Sequence, residues 1–351
     1  MRFAAAQWWE SGQQPASGSA PWCYDKRPFG SHLPTTALMP MMLRHSRTYL
    51  SAAATAVCVA LAGCVGSGPG TSHSQTARSV EASVPDWLLG VWHRQWLEED
   101  GVRSNSREVY YLQTPTVFGD VRFPVDRPAF SRAASFADLS AGELRWLAQQ
   151  QGFTGRTRMT GAVATWSHEI SFQPADGTTD AGRLERKSDG IMYEHGLDGS
   201  YTEAWKTVPG RAGRYLVIRI ERSGRLDRVL IVAGDHFLYV RNREKDLPVA
   251  SSLDSLMSST NATRDQVIEY LDCEFSIGWV TDGHSPWVIQ RSTLPWREAH
   301  RLDLVDQVLP ADIANGLTRH NTATERWTIP VNTLKPSDIK ALFGAAPSAD
   351  G

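Results

Sequence analysis

The segment Gly90-Val91-Trp92-His93-Arg94-Gln95-Trp96-Leu97 opens the part of the chain in which strand patterns dominate. Side chains of an extended chain alternate between two faces, so Trp92 and Trp96 share one face of a predicted strand. Two large aromatic side chains on one face indicate that this face is buried. The segment therefore predicts a β-strand that contributes to an apolar core.

The same kind of pattern returns along most of the chain that follows. We predict further strands at 109–114, 118–123, 163–173, 184–187, 191–195, 201–207, 215–221, 228–232, 236–241, 274–280, 287–291 and 327–331. The Asp-Gly pairs at 176–177, 189–190 and 198–199 are typical of tight hairpin turns. The sequence therefore predicts a mainly β fold built from antiparallel strands.

Two predicted helices interrupt the strands. Ser140 and Glu143 have the spacing of a capping box, and they open a predicted helix at about 140–151. Thr263 and Gln266 have the same spacing and open a second helix. Each helix follows a pair of predicted strands, so both halves of the chain share this order of elements.

An internal repeat is also visible in short sequence matches between the two halves. The matches, in the same order in both halves, are 110–122 with 229–241, 169–172 with 274–277, 194 with 298, and 203–205 with 325–327. We therefore predict two tandem antiparallel β-barrel units, at 85–209 and 210–335, each with one helix, before a C-terminal tail at 336–351. General β alternation inside one large barrel or sandwich is the alternative.

The start of the first unit resembles a known superfamily. Gly90-Val91-Trp92 is similar to the Gly-x-Trp motif that opens lipocalin-like (calycin) barrels, in which the tryptophan closes the base of the barrel. The repeated layout over 85–335 also resembles a poorly characterised lipocalin-like family with two tandem barrels. These resemblances imply a fold and no activity. The cysteine pair of typical secreted lipocalins is absent from this sequence.

An export signal precedes the predicted barrels. Basic residues within 42–47 lead into the apolar run 50–61, which is too short to cross a bilayer as a helix, and small residues follow. With Leu61-Ala62-Gly63-Cys64 at its end, the signal at 42–63 resembles that of bacterial lipoproteins. The alternative is a short buried helix that contains an unrelated cysteine.

The lipoprotein resemblance implies a location and a partner. Cleavage would leave Cys64 at the new amino terminus, acylated and held in membrane lipid, and a flexible tether at 64–84 would follow. A valine rather than an aspartate after the cysteine implies the periplasmic face of the outer membrane in a cell with two membranes, and the outer face of the cytoplasmic membrane otherwise. Residues 1–41 form a leader that such a signal does not need, so we expect translation to begin at Met41 or Met42.

Composition excludes some partners and a disulfide. The chain has 36 Lys and Arg against 38 Asp and Glu, without a basic block, so nucleic acid is not an expected partner. Of its four cysteines, Cys23 lies in the leader, Cys58 in the signal, and Cys64 would be acylated. Cys273 alone would remain, so no internal disulfide forms in the mature fold. We expect a buried apolar role for Cys273, with a reactive thiol as the alternative.

Candidate residues for a ligand pocket inside the first barrel are Trp92, Gln113, Arg122, Glu169, Glu203 and Trp205. A few polar groups between aromatic walls are typical of sites for small ligands. Strand parity shows which side chains share a face, but it does not show which face lies inside the barrel. The alternative places these charges in solvent, or pairs Arg122 with Glu169 or Asp120 as a structural ion pair.

No motif in the sequence indicates a cofactor or a metal. The histidines lack the spacing of a dedicated metal site, and neither a nucleophile elbow nor a P-loop is present. We therefore expect a protein that binds a small apolar or amphipathic ligand, and we assign no catalytic residue. An envelope interaction module with filled barrels is one alternative, and an enzyme with Glu169 or Glu203 as general base is another. Nothing in the sequence indicates the oligomeric state.

Overall fold

A computed structural model describes residues 84–280, 286–316, 318–320 and 322–344. The predicted leader, the export signal and the acylation site at Cys64 lie outside the described residues. So does the predicted tether, apart from its last residue. The structure therefore concerns the two predicted β units and the first part of the predicted tail.

Within the described residues, nine antiparallel strands form the first sheet. They are β1 (Gly90–Glu99), β2 (Val102–Ser104), β3 (Arg107–Gln113), β4 (Val117–Pro124), β5 (Gln151–Thr160), β6 (Val163–Ser171), β7 (Asp180–Arg186), β8 (Met192–Gly196) and β9 (Tyr201–Thr207). Because β9 pairs with β1 as well as with β8, β1 and β3 to β9 close into an eight-stranded barrel. β2 is an extra strand paired with one part of β1. The predicted mainly β fold with an antiparallel barrel is confirmed.

Tight turns connect the last strands of the barrel. Gly190 and Gly199 have φ angles of 86° and 77°, in the left-handed region that glycine adopts without steric cost. The carboxylates of Asp189 and Asp198 each accept a hydrogen bond from the backbone N–H two residues further on. These Asp-Gly pairs form the predicted turns between β7, β8 and β9.

Seven strands of the described residues form the second sheet. They are β10 (Tyr215–Arg222), β11 (Arg225–Ala233), β12 (His236–Arg241), β13 (Glu274–Trp279), β14 (Val288–Ser292), β15 (Arg319–His320) and β16 (Glu325–Asn332). β16 pairs with β10 just as β9 pairs with β1. Among the described residues no pairing joins β14 to β15, so this sheet stays open where the first one closes. The chain between β14 and β15 forms helical turns at Pro295–Arg297 and Asp303–Gln307 and then a short helix, where the first unit has the single strand β7.

The helices of the described residues are α1 (Ala141–Leu147), α2 (Leu253–Ser259), α3 (Arg264–Leu271), α4 (Pro310–Asn315) and α5 (Pro336–Phe343). Ser140 and Thr263 cap α1 and α3 through the predicted capping boxes. The second half has α2, α4 and α5 in addition to the single helix expected there, and α5 begins the segment predicted as a tail. In the part of the chain that the structure describes, no helix is long and apolar enough to cross a membrane.

Three apolar clusters divide these residues into layers. Trp92, Tyr111 and Trp205 belong to a cluster formed by the barrel's own strands and the residues just before β1, which fills the barrel interior. A second cluster joins the outer face of the barrel to one face of the second sheet, through residues such as Leu112 and Ile231. The third cluster covers the opposite face of the second sheet with α4 and α5. The second sheet therefore lies between the barrel and these helices.

Two glycines allow the barrel and the second sheet to approach closely. A Cβ atom at Gly152 on β5 would lie 2.7 Å from the ring of Phe275 on β13. Gly119 on β4 faces Leu238 on β12 in the same way. β4 and β12 precede the capped helices, and β5 and β13 follow them. The two halves thus contact each other through strands that are equivalent in the predicted repeat.

The repeat alignment needs one correction. β5 escapes prediction because two glycines interrupt its apolar pattern. Without β5, the sequence pattern matches 169–172 on β6 with 274–277 on β13, whereas the topological counterpart of β13 is β5. The match of 203–205 with 325–327 holds, since β9 and β16 both pair with the first strand of their own sheet.

Candidate functional site

The orientation of β4 shows which of its side chains point into the barrel. Phe118 belongs to the apolar cluster inside the barrel, whereas Val121 and Phe123 pack toward the second sheet. Side chains two positions apart share a face, so Asp120 and Arg122 face inward with Phe118. β4 therefore places a carboxylate and a guanidinium inside the barrel.

A pocket opens among these side chains and holds about 350 Å³ of empty space, counted to its open mouth. The apolar and aromatic residues that line it are Tyr111, Phe118, Phe153, Trp166, Leu184, Met192 and Trp205. The charged residues that line it are Asp120, Arg122, Asp180 and Glu194. Apolar walls with a few convergent polar groups are typical of sites that bind small ligands.

Two arginines pair with two carboxylates in the barrel interior. Arg94 on β1 forms a buried ion pair with Glu203 on β9. Arg122 donates a hydrogen bond to Asp120 across 2.7 Å, and its Nη1 lies 4.0 Å from Oε1 of Glu203. Burial raises the pKa of Asp120, and the Arg122 charge opposes that rise. Charges removed from water need such partners, so these pairs make a charged interior compatible with folding.

Glu194 on β8 differs from these carboxylates because it forms no ion pair with any described residue. The Tyr201 hydroxyl donates a hydrogen bond to its Oε1 across 2.9 Å. In the pairing of β8 with β9, Glu194 lies directly opposite Glu203. Burial and the neighbouring Glu203 carboxylate raise the pKa of Glu194 to about 8. The Glu194 carboxyl is therefore mostly protonated at neutral pH.

Two buried polar atoms in this region lack a hydrogen-bond partner among the described residues, namely Nε1 of Trp205 and Oε2 of Glu203. Leaving such an atom unpaired costs roughly 1–3 kcal/mol. The second sheet carries the same Glu-x-Trp pattern on the equivalent strand, where Nε1 of Trp327 donates to Oε1 of Glu325 across 2.7 Å. In the barrel, Glu203 pairs with Arg94 instead, and the Trp205 N–H is left open beside the pocket.

The mouth of the pocket has polar and aromatic side chains. Nε2 of His168 lies 2.8 Å from Oδ2 of Asp180, and the His168 ring stacks on Phe153 with centroids 4.4 Å apart. The Arg122 guanidinium lies 5.0 Å from the centroid of Phe153. The side chains of His168 and Asp180 are 30% and 33% exposed, so this side of the pocket meets solvent.

The structure brings several of the predicted pocket residues together. Arg122 and Trp205 line the pocket, and Glu203 lies next to them in its ion pair with Arg94. Trp92 is fully buried in the same interior cluster, where its Nε1 donates to a backbone carbonyl oxygen across 2.9 Å. Trp92 is therefore part of the barrel core, outside the lining of the pocket.

Gln113 and Glu169 also lie outside the lining of the pocket. Gln113 is fully buried, and its Oε1 accepts hydrogen bonds from the hydroxyls of Tyr111 and Thr157. Glu169 accepts two hydrogen bonds from Arg219 of β10, across 2.6 and 3.0 Å. Glu169 thus forms an ion pair between the barrel and the second sheet, and its partner is Arg219 rather than the Arg122 considered from the sequence.

Sequence reasoning missed Arg94 and Glu194 as members of the site. Arg94 shares a strand face with Trp92, and this parity is a signal that could have identified it. Glu194 shares a face with Met192, but no local pattern shows that it lies opposite Glu203. Strand pairing brings these two carboxylates together, and pairing is a property of the tertiary structure.

Cys273 is fully buried in the cluster between the barrel and the second sheet, and burial raises the pKa of its thiol. This placement agrees with the apolar role expected for it. Over the described residues, no three His, Cys, Asp or Glu side chains come together in a group that could hold a metal ion.

Fold and site together define the class: an antiparallel β-barrel protein with a charged, aromatic pocket in the barrel and a second sheet packed against it. The crystal structure of the uncharacterized protein YLR301w from Saccharomyces cerevisiae is similar, with a TM-score of 0.41 and 10% sequence identity. The similarity covers 69% of this chain and 98% of that one. Comparisons with known protein families and with curated proteins find no match.

Proposed function

We propose that this protein is a lipid-anchored binding protein of the bacterial envelope, whose closed barrel holds a small amphipathic ligand. The anchor rests on the sequence alone, through the signal at 42–63 and the acylation of Cys64. The binding function rests on the pocket, because its aromatic walls suit an apolar body and its charged groups suit a polar end.

The observation that carries the binding function is the contrast between the two Glu-x-Trp pairs. In the second sheet, Nε1 of Trp327 donates a hydrogen bond to Oε1 of Glu325, so the indole N–H has a partner. In the barrel, Nε1 of Trp205 and Oε2 of Glu203 have no partner within the described residues, and Trp205 lines the pocket. A ligand whose polar end both accepts and donates hydrogen bonds would satisfy these two atoms and recover their cost.

The ligand is small. The empty space of about 350 Å³ includes open solvent at the mouth, so the enclosed part of the pocket is much smaller than this figure. Trp92, Phe118 and the other large residues of the interior cluster occupy the rest of the barrel. This filling is the observation that favours a second candidate function, an envelope interaction module whose barrel serves as a rigid support.

Native mass spectrometry of the protein purified from its own host tests the proposal. We expect an added mass that corresponds to one small molecule per chain. Leu184→Trp narrows the pocket from β7 and should remove this mass. Leu197→Trp makes the same change at a residue that is 60% exposed, and it should leave the mass in place. Circular dichroism spectra of both variants verify that the barrel is intact.

An added mass that is lost in Leu184→Trp and kept in Leu197→Trp supports binding in the pocket. A wild-type protein that carries no added mass under gentle desorption, together with an unchanged mass in both variants, contradicts it. That outcome would favour the interaction module, because a filled barrel needs no ligand to satisfy its interior.

A further inference from the structure

The pocket side of the barrel has more acidic than basic side chains. Asp120 is balanced by Arg122, and Glu203 is balanced by Arg94. Glu194 has no basic partner among the described residues, yet it lies directly opposite Glu203 in the strand pairing. Like charges directly opposite each other destabilise a sheet. A positive charge placed between them would be stabilised by both carboxylates.

Arg122 does not fill this role for Glu194. Its guanidinium is held by Asp120 across 2.7 Å and lies 4.0 Å from Glu203, so two carboxylates already share its charge. Among the described residues that line the pocket, no unpaired cation is therefore present for an anionic ligand, which would also lie close to the carboxyl groups of Glu194 and Asp180. The aromatic walls, among them Trp166 and Trp205, favour a cation, because the faces of aromatic rings attract positive charge.

The Glu194 side chain lies over a glycine of β7, next to its direct partner in the strand pairing, Leu184. A Cβ atom at Gly182 would lie 2.9 Å from Cγ of Glu194. Any larger residue at Gly182 would therefore press on the Glu194 side chain and move its carboxyl group. The open Nε1 of Trp205 and Oε2 of Glu203 are a second, independent sign that the interior is built to contact something it does not itself contain.

We infer that the pocket binds a small primary amine in its protonated form, with an aromatic or short apolar body. This inference deepens the proposed binding function and rests on it. The ammonium group donates hydrogen bonds to Glu194 and to Oε2 of Glu203, and the apolar body packs against the aromatic walls. An oxygen atom of the ligand accepts a hydrogen bond from Nε1 of Trp205.

Binding of an amine also has a pH dependence set by the groups that face Glu194. These are Glu203 and Tyr201 on β9, Arg122 on β4 and Asp180 on β7. The pKa of Glu194 is raised to about 8, so below that pH an ammonium must displace the carboxyl proton. The affinity for an alkylamine should therefore rise between pH 6 and pH 9, where the amine itself stays protonated because its pKa is about 10.

Isothermal titration calorimetry of the full-length protein in detergent tests the charge of the ligand. The probes are phenethylammonium, phenethyl alcohol and phenylacetate, which each carry a phenyl ring on a short alkyl chain and differ in charge. At pH 8.5 we expect phenethylammonium to bind at least about tenfold more tightly than the alcohol, and phenylacetate not to bind. Glu194→Gln should remove this preference, whereas Glu185→Gln, an exposed carboxylate on β7, should keep it.

The outcomes separate this inference from the proposed function. If phenethyl alcohol or phenylacetate binds as tightly as phenethylammonium, the inference of an amine ligand is wrong. The proposed binding function of the pocket is then still supported. If no probe binds and the native protein carries no added mass, both are overturned. If Glu194→Gln fails to fold, the wild-type pH profile decides: an affinity for phenethylammonium that does not rise between pH 6 and pH 9 contradicts the amine.

Discussion

Glu194 and Glu203 lie directly opposite each other on β8 and β9, both facing the interior of the barrel. Glu203 has Arg94 as a buried partner, whereas among the described residues Glu194 has the hydroxyl of Tyr201 as its side-chain hydrogen-bond partner and a pKa raised to about 8. A barrel that keeps an uncompensated carboxyl inside loses stability when that group ionises. The pair is therefore both a candidate contact for a ligand and a weak point of the fold in alkaline solution.

The first prediction concerns the pH dependence of stability. The folded pKa of Glu194 lies above its ordinary value of 4.5, so the folded state holds a proton that the unfolded state releases. The contribution of Glu194 is therefore fully present below about pH 4.5, and it is lost as the pH rises toward 8. Because one pKa unit corresponds to about 1.4 kcal/mol, the rise from 4.5 to about 8 sets an upper limit of about 5 kcal/mol on this loss.

Urea unfolding at several pH values between 5 and 9 measures this loss. Glu194→Gln should be close to wild type at pH 5 and more stable than wild type at pH 9. Glu185→Gln is the matched control, because the side chain of Glu185 is 47% exposed. The prediction is wrong if the difference in free energy of unfolding between wild type and Glu194→Gln stays constant with pH. Glu194 would then ionise equally in the folded and unfolded protein.

The second prediction concerns the contact between the barrel and the second sheet. Gly152→Ala puts a methyl group 2.7 Å from the ring of Phe275, which is fully buried in the cluster between the barrel and the second sheet. Overpacking of this kind costs about 1–3 kcal/mol. Gly142→Ala is the control, since nothing lies within 4 Å of a Cβ there.

Thermal or urea unfolding of the two glycine variants gives the comparison. Gly152→Ala should be destabilised, while Gly142→Ala in α1 should be unchanged or slightly more stable, because alanine favours helix by about 1 kcal/mol over glycine. Equal stability of the two variants would mean that the sheets are not closely packed at Phe275.

The third prediction concerns Glu169, which the structure places in an ion pair with Arg219. A double-mutant cycle with Glu169→Gln and Arg219→Met should give a coupling of about 1 kcal/mol, since two hydrogen bonds join partly buried groups. The pair of Glu98 with Arg103 is the control, because those side chains are 38% and 57% exposed and should show a coupling near zero. If both cycles give the same value, the ion pair does not hold the barrel to the second sheet.

The fourth prediction concerns the predicted acylation at Cys64. Intact mass of the protein from its own host should match a chain that begins at Cys64 and carries added acyl groups. Cys64→Ser should leave the signal uncleaved, so its intact mass should include residues 42–63 and no acyl groups. A native protein that retains 42–63 without an acyl increment would contradict the lipid anchor.

Much of the local structure was predictable because it depends on short-range chemistry. The Asp-Gly turn at 189–190 has the left-handed glycine that its residue types require, and Ser140 caps α1 as its spacing to Glu143 indicates. β5 was not predictable, since its glycines serve close packing against the second sheet, which local pattern does not show. The open second sheet was also unexpected, because helical turns replace the counterpart of β7 in a stretch without a clear period.

The candidate site divides in the same way. Strand parity alone placed Glu203 and Trp205 on one face, and aromatic residues alone indicated a core. Only the closed barrel decided that this face points inward, that Glu203 forms an ion pair with Arg94, and that Glu194 has no ion pair with another described residue. The physical reason is that a side chain's face follows from its own strand, whereas its partners come from strands distant in sequence, which meet only when β9 closes on β1.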